Sequence, residues 1–305
     1  MKKKFVLFGC QKIAADCIEH IVQNENAELL HVYTYDLPLD ITYGYKSVQE
    51  KCNQLNIPCK KPKNITKDLM KEIASYEPDY ILSIYYRKIF PKSLLQLPKY
   101  GCINIHPSLL PEYRGPVPTA WALLNGEKET GITIHLMDEG IDTGDILFQK
   151  TVDIDYNDTG FDLYTKIMNA GVELFIENFE QLIENNYNKT KQSGLGSYYG
   201  KLDSKHYIDW QSKCEDIRNI VKVHAPPFNP VETQLYNHYF FINKVSSVND
   251  SKYTLQGPGK IVDIINDKPV VSCVDGFLKL DEYDIYPKLT KEEKLVYFRI
   301  GNQFD

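Results

Sequence analysis

The sequence predicts an α/β fold, a mostly parallel doubly wound sheet followed by a small β-rich C-terminal domain. Three observations support it. The run Phe5-Val6-Leu7-Phe8 and then Leu29 to Thr34 are short apolar stretches with a helix-length segment between them, which is the strand-helix-strand rhythm of a parallel sheet. Between Phe161 and Ile183 apolar residues recur at three and four positions, predicting a long amphipathic helix. Beyond residue 238 the pattern changes to short β-type runs separated by Gly257-Pro258-Gly259, Asn266-Asp267 and Asp275-Gly276, the punctuation of a small antiparallel sheet or barrel.

The elements follow in order. Ser47 with Glu50 fits a capping box for a helix carrying Val48, Cys52 and Leu55. A second helix is expected near residues 66–75, before the apolar run Tyr80 to Ile84, and a further strand at Cys102 to Ile105. β-type runs are expected from Gly131 to Met137 and from Ile146 to Val152. The expected domains are 1–185, a linker over 186–212 that opens on a low-periodicity stretch rich in Asn, Lys, Ser, Gly and Tyr, and 213–305. That last part should hold one helix near 213–222 and strands at Tyr239 to Ile242, Lys260 to Ile265, Pro269 to Cys273 and Phe277 to Leu280.

Composition narrows the function classes. The 305 residues are 43% hydrophobic and 25% charged, an ordinary globular balance. With 35 basic and 41 acidic side chains the net charge is −6, so no overall positive field collects nucleic acid. Residues 186–244 are locally basic, with eight Lys or Arg against five Asp or Glu. The apolar run after Lys2, Lys3 and Lys4 is too short for a signal-peptide core, and a cytoplasmic location without membrane partners is expected. Seven cysteines with no Cys-x-x-Cys pair read as reduced core residues, and no metal is expected.

Chemistry is concentrated in two stretches. Asn104-Ile105-His106-Pro107-Ser108-Leu109-Leu110-Pro111 begins at a strand end, where open α/β sheets place ligands, and period two puts Asn104 and His106 on one side of the strand. Asp138-Glu139-Gly140-Ile141-Asp142-Thr143-Gly144-Asp145 packs acids and glycines into a loop between two β-type runs. A carboxylate beside an imidazole orients the ring and favours its protonated form, and a carboxamide donates to a developing oxyanion. A single histidine beside a strand is more often structural, and His135, set between Ile134 and Leu136, is expected to serve packing or the surface.

At these residues the sequence resembles the N10-formyltetrahydrofolate-dependent formyltransferases. Asn104, His106 and Asp142 coincide with that family's catalytic Asn, His and Asp, Ser108 to Pro111 with its Ser-Leu-Leu-Pro, and Asp142 to Leu147 with its Asp-Thr-Gly-Asp-Ile-Leu. Ser83 to Ile89 resembles the strand and loop that shape its folate pocket, and Ile208-Asp209-Trp210 with Ile220 to Phe228 the entry to its second domain. The resemblance implies a Rossmann-like formyltransferase domain, an OB-like C-terminal domain and N10-formyltetrahydrofolate as co-substrate. It also implies a pterin site at Tyr86, Arg87, Lys88, Ile89, Asp138, Gly140 and Asp142, with acceptor contacts at Ser108, Arg114, Gly115 and Tyr199.

Family members differ in the amine that receives the formyl group. Glycinamide ribonucleotide formyltransferases are about one domain long and carry a Gly/Ser-rich phosphate loop, where this chain reads Gly9-Cys10-Gln11-Lys12. The formyltetrahydrofolate dehydrogenase hydrolase domain commonly lacks the Asn found here at 104. Tyr113-Arg114-Gly115-Pro116-Val117-Pro118 and the Tyr-Tyr-Arg at 85–87 look most like the sugar N-formyltransferases. The expected acceptor is therefore a nucleotide-linked amino sugar of the dTDP-4-amino-4,6-dideoxyglucose type, with no nucleic acid partner and a homodimer compatible with the sequence. Methionyl-tRNA formyltransferase is the alternative.

Overall fold

The computed structural model describes residues 2–36, 47–203 and 206–305. Of the linker expected over 186–212, residues 204 and 205 lie outside the described residues. In chain order the elements are β1 (Lys3–Gly9), α1 (Gln11–Gln23), β2 (Ala27–Tyr33), α2 (Val48–Leu55), β3 (Cys59–Lys60), α3 (Lys67–Ser75), β4 (Tyr80–Ile84), α4 (Lys92–Leu95), β5 (Gly101–His106), α5 (Pro118–Leu124), β6 (Glu129–Leu136), β7 (Ile146–Asp153) and α6 (Gly160–Glu184). There follow α7 (Cys214–Val223), β8 (Val231–Leu235), β9 (His238–Ser247), β10 (Ile261–Ile265), β11 (Lys268–Ser272), β12 (Phe277–Tyr286) and α8 (Lys291–Tyr297).

The chain divides into two compact units. The first comprises Met1–Pro118, Glu129–Asp153 and Thr165–Gly200; the second comprises Thr119–Lys128, Ile154–Tyr164 and Lys201–Asp305. In the first, seven strands run in the order β3-β2-β1-β4-β5-β6-β7. Strands β1 to β5 pair in parallel, whereas β5 with β6 and β6 with β7 are antiparallel. β1 and β4 read as near-continuous apolar runs because both faces of a parallel sheet are covered.

Local chemistry sets the helix ends. Ser47 and Glu50 form the reciprocal capping box of α2, and Thr66 caps α3 by accepting from the Leu69 N–H. α1 buries Ile13, Ala14, Cys17, Ile18 and Ile21. α6 buries Leu163, Ile167, Met168, Leu174, Phe175, Phe179 and Leu182, with the Phe179 ring 5.5 Å from Phe5 on β1. Each such side chain contributes about 1.5–3 kcal/mol on burial.

The second unit holds the antiparallel sheet β10-β11-β12-β9-β8. Its core gathers Trp210, Phe240, Phe304, Ile217, Val221, Leu278 and Leu280. The Trp210 indole N–H donates to Thr233 Oγ1 at 3.0 Å, so this large ring is buried without an orphaned donor. Among the described residues no helix is long and apolar enough to cross a membrane.

Candidate active site

Asn104 and His106 lie two residues apart at the C-terminal end of β5, where alternation turns both side chains to one face. Asp142 comes from the loop between β6 and β7, and its carboxylate meets both. Asn104 Nδ2 donates to Asp142 Oδ1 at 3.3 Å, and His106 Nδ1 lies 3.5 Å from Asp142 Oδ2. The Gly115 N–H donates to the same Oδ2 at 3.0 Å.

The tautomer of His106 follows from its other nitrogen. Nε2 lies 2.9 Å from the Tyr113 carbonyl, which only accepts, so Nε2 carries the hydrogen and Nδ1 of the neutral ring is bare. His106 is 4% exposed. Burial pushes its pKa below the usual histidine value, against the pull of Asp142 and the Tyr113 carbonyl, so the ring is neutral near pH 7. Burial acts to raise the Asp142 carboxyl, but His106, His135 and the Gly115 N–H outweigh it and hold that pKa at about 2. The site therefore presents a neutral base against a fixed negative charge.

A fourth side chain belongs to this cluster, and the expectation of a packing or surface role for His135 did not include it. Asn104 pairs with His135 across the antiparallel β5–β6 ladder, which puts them on one face. His135 Nδ1 donates to the Leu136 carbonyl at 2.7 Å, leaving Nε2 to accept from Asn104 Nδ2 at 3.2 Å. The same Nε2 is 3.6 Å from Asp142 Oδ1. A sequence offers no signal for this, because the partner of β5 is fixed only when the sheet assembles.

The backbone around Asp142 is under constraint. Its φ is +54°, a region that L-residues adopt at a cost of about 1–2 kcal/mol. Gly115 sits at φ +96°, and a Cβ there would lie 2.5 Å from the Tyr199 carbonyl. Gly144 has no room for a side chain either, since a Cβ would stand 1.9 Å from the Leu136 carbonyl oxygen.

The remaining candidate residues fall into two groups. Ser108 is fully buried and donates to the Glu112 carbonyl at 2.7 Å, while its own carbonyl accepts from Thr133, so it shapes the turn after β5. Arg114 Nε and Nη2 both donate to Gln192 Oε1, at 3.0 and 2.7 Å. Tyr199 stacks on Tyr113 with centroids 5.0 Å apart, and its N–H donates to the Arg114 carbonyl.

The second group follows β4, which neighbours β5 in the sheet. Tyr86 is buried among Phe8, Tyr35 and Phe90, and its hydroxyl has no hydrogen-bond partner among the described residues. Arg87 is exposed, Ile89 is 79% exposed, and Lys88 Nζ donates to the carbonyls of Pro62 and Lys63. Asp138 Oδ1 accepts from the Gly140 N–H at 3.0 Å and from Thr143 Oγ1 at 2.6 Å, forming a small polar turn. Asp138 and Gly140 line an open groove of about 440 Å³ together with Lys92, Leu95, Gln96, Met137 and Glu139. A second open groove, of about 460 Å³ on the second unit, contains none of the candidate residues. Among the described residues no group of three or more His, Cys, Asp or Glu is arranged to hold a metal ion.

Comparison with known proteins identifies the class of chemistry. The Formyl transferase family matches residues 15–179, and the Formyl transferase C-terminal domain matches residues 203–292. The methionyl-tRNA formyltransferase of Clostridioides difficile (strain 630) is 36% identical over 287 residues, covering 92% of this chain and 91% of that protein. The enzyme of the same name from Caldanaerobacter subterraneus is 38% identical over 226 residues, covering 72% of this chain and 73% of its own. Among solved structures, an N-formyltransferase from Helicobacter canadensis, in complex with folinic acid and dTDP-3-aminofucose, superposes with a TM-score of 0.70 at 23% identity. The match covers 93% of this chain and all of that one, and at this identity the likeness is one of fold.

These relatives correct the expectation of a nucleotide-linked amino sugar, and their names bear against the expectation of no nucleic acid partner. Relatives at 31–38% identity over most of the chain are methionyl-tRNA formyltransferases, whereas the sugar enzymes are neighbours in fold at lower identity. The physical reason lies in the passage that suggested the sugar. Tyr113 is stacked on Tyr199, Arg114 is tied to Gln192 and Gly115 is bonded to Asp142, so each has a scaffold role that does not depend on which amine is formylated. A net charge of −6 is likewise no guide to partners, since charge summed over a chain says little about any one face. With family matches on both of its units and a buried Asn-His-Asp cluster at a strand end, this chain belongs to the formyl transferase family.

Proposed function

We propose that this protein is a methionyl-tRNA formyltransferase, moving the formyl group of N10-formyltetrahydrofolate to the α-amino group of methionine carried on tRNA. The observation that carries this reading is the match to the Clostridioides difficile enzyme of that name, at 36% identity along 92% of the chain. Such a substrate places the enzyme in the cytoplasm.

The neutral amine attacks the formyl carbon and a carbon–nitrogen bond forms. His106 Nδ1, the bare ring nitrogen, takes the amine's proton, and the imidazolium so formed lies against the Asp142 carboxylate. The two hydrogens of Asn104 Nδ2 go to His135 and Asp142 through bonds of 3.2 and 3.3 Å. Both are long enough to be exchanged for a tetrahedral oxyanion, an interaction whose loss typically costs about 3 kcal/mol. The tetrahedral centre then collapses: the bond to N10 breaks, the His106 imidazolium gives N10 the proton it took from the amine, and tetrahydrofolate leaves with His106 neutral again. Residues 86–89 and the loop at Asp138 and Gly140 hold the donor.

The test is formylation of methionyl-tRNA with N10-formyltetrahydrofolate, read as formylmethionine on tRNA and as tetrahydrofolate released. The expected result is one formylmethionine for each tetrahydrofolate, with a KM for tRNA that rises with salt. Turnover with another amine and none with methionyl-tRNA overturns the reading.

A further inference from the structure

We propose that Gln192 is a positioning residue for formyl transfer, holding the backbone that carries the Asp142 carboxylate. Gln192 lies in the stretch of low periodicity after α6, a segment that the sequence presents as a linker. In the structure this segment is laced to the active-site loops. Thr190 and Ile146 exchange both backbone hydrogen bonds, at 2.8 and 2.9 Å, and the N–H groups of Tyr113 and Arg114 donate to Ser197.

The side chain of Gln192 uses its full bonding capacity. Nε2 donates to the carbonyls of Asp142 and Gly144, each at 2.8 Å, and Oε1 accepts twice from Arg114. Asp142 holds a left-handed backbone that it does not prefer, so an outside restraint on its own carbonyl bears directly on where its carboxylate points. The carboxylate itself is steadied by the N–H of Gly115, the residue next to Arg114. One carboxamide thus fixes the peptide behind Asp142 and, through Arg114, the turn in front of it. Gln192 touches no reacting atom, and its effect is on geometry.

This inference rests on the role assigned to Asp142 above, and the test separates the two. Steady-state constants and Tm are measured for Gln192→Ala, Gln192→Glu, Asp142→Asn and the double variant Gln192→Ala with Asp142→Asn. Gln192→Glu keeps acceptors for Arg114 and removes both donors to the loop carbonyls. Each Gln192 variant is expected to lower kcat about 10- to 100-fold, as small misplacements of a reacting group do, with the KM of the formyl donor within about twofold. The acid limb of kcat is expected to move to lower pH, because a loosened carboxylate raises the His106 pKa less. In the Asp142→Asn background the Gln192→Ala penalty is expected to shrink below about twofold, which a merely structural role does not produce.

Full turnover in Asp142→Asn overturns the role of Asp142 and this proposal with it. Impaired Asp142→Asn beside full turnover in a folded Gln192 variant overturns this proposal alone. Equal Gln192→Ala penalties in both backgrounds, or failure of both Gln192 variants to fold, also overturn it, since Gln192 then acts on stability and not through Asp142.

Discussion

Two adjacent strand ends of the same sheet have been given opposite characters. At the end of β5 the carboxylate of Asp142 is surrounded by Asn104, His106, His135 and the Gly115 N–H, almost every polar atom is partnered, and His106 is 4% exposed. At the end of β4 Arg87 and Ile89 face solvent, Ile89 being 79% exposed, while Tyr86 before them is buried with its hydroxyl unpartnered among the described residues. The difference teaches where preorganisation is placed. Proton transfer needs fixed dipoles at the moment of reaction, whereas a docking rim must admit and release a molecule.

Substitutions sharpen this contrast. The largest effect is expected for His106→Ala, which should lower kcat about 10³-fold while donor binding, followed by fluorescence titration, stays within about twofold. Asp142→Asn keeps the shape and removes the charge, and kcat should fall about 10²-fold; unchanged kcat from pH 5 to 9 would break the pairing with His106. Gly115→Ala places a methyl against the Tyr199 carbonyl at an unfavourable φ, so Tm and kcat should fall together, by about 1–3 kcal/mol in stability. At the other strand end Ile89→Ala should leave Tm within about 1 °C and kcat unchanged, raising only the KM of the formyl donor a few-fold. A kcat loss there as large as at His106 would erase the distinction.

Acid should separate the two ends as well. The His106 pKa is lowered in the folded protein, so the unfolded chain binds more protons near pH 6.5. The stability tied to its neutrality is full above 6.5 and is lost as pH falls from there toward the lowered folded value. Asp142 behaves likewise further down, its contribution present above 3.8 and lost as pH falls toward about 2. Activity should fail on the acid side before the fold does, a sequence that kcat and circular dichroism over the same pH series would establish.

Much of this was legible because it depends on local spacing. The three-and-four rhythm of α6, the Ser47–Glu50 capping box and the shared face of Asn104 and His106 follow from the chain taken a few residues at a time. β8 was not legible, since five alternating residues from Val231 to Leu235 differ little from a loop, and α8 buries no residue and so leaves only a faint apolar pattern. His135 and Gln192 were invisible for a different reason. One is placed by the register of an antiparallel pair and the other by a segment returning from 50 residues away, and neither relation is written in neighbouring positions. The acceptor was not legible at Tyr113 to Pro118, where Tyr113, Arg114 and Gly115 are each engaged by Tyr199, Gln192 and Asp142.

The interleaved course of the chain limits how the protein can be dissected. Thr119–Lys128 and Ile154–Tyr164 belong to the second unit although the first unit resumes after each of them. A gene fragment stopped at codon 200 would therefore encode Ala122, Leu123 and Leu163, all buried in the intact protein, without the 105 residues that complete their unit. Such a fragment is expected to be less soluble than the full chain, which expression of residues 1–200 beside 1–305 would show.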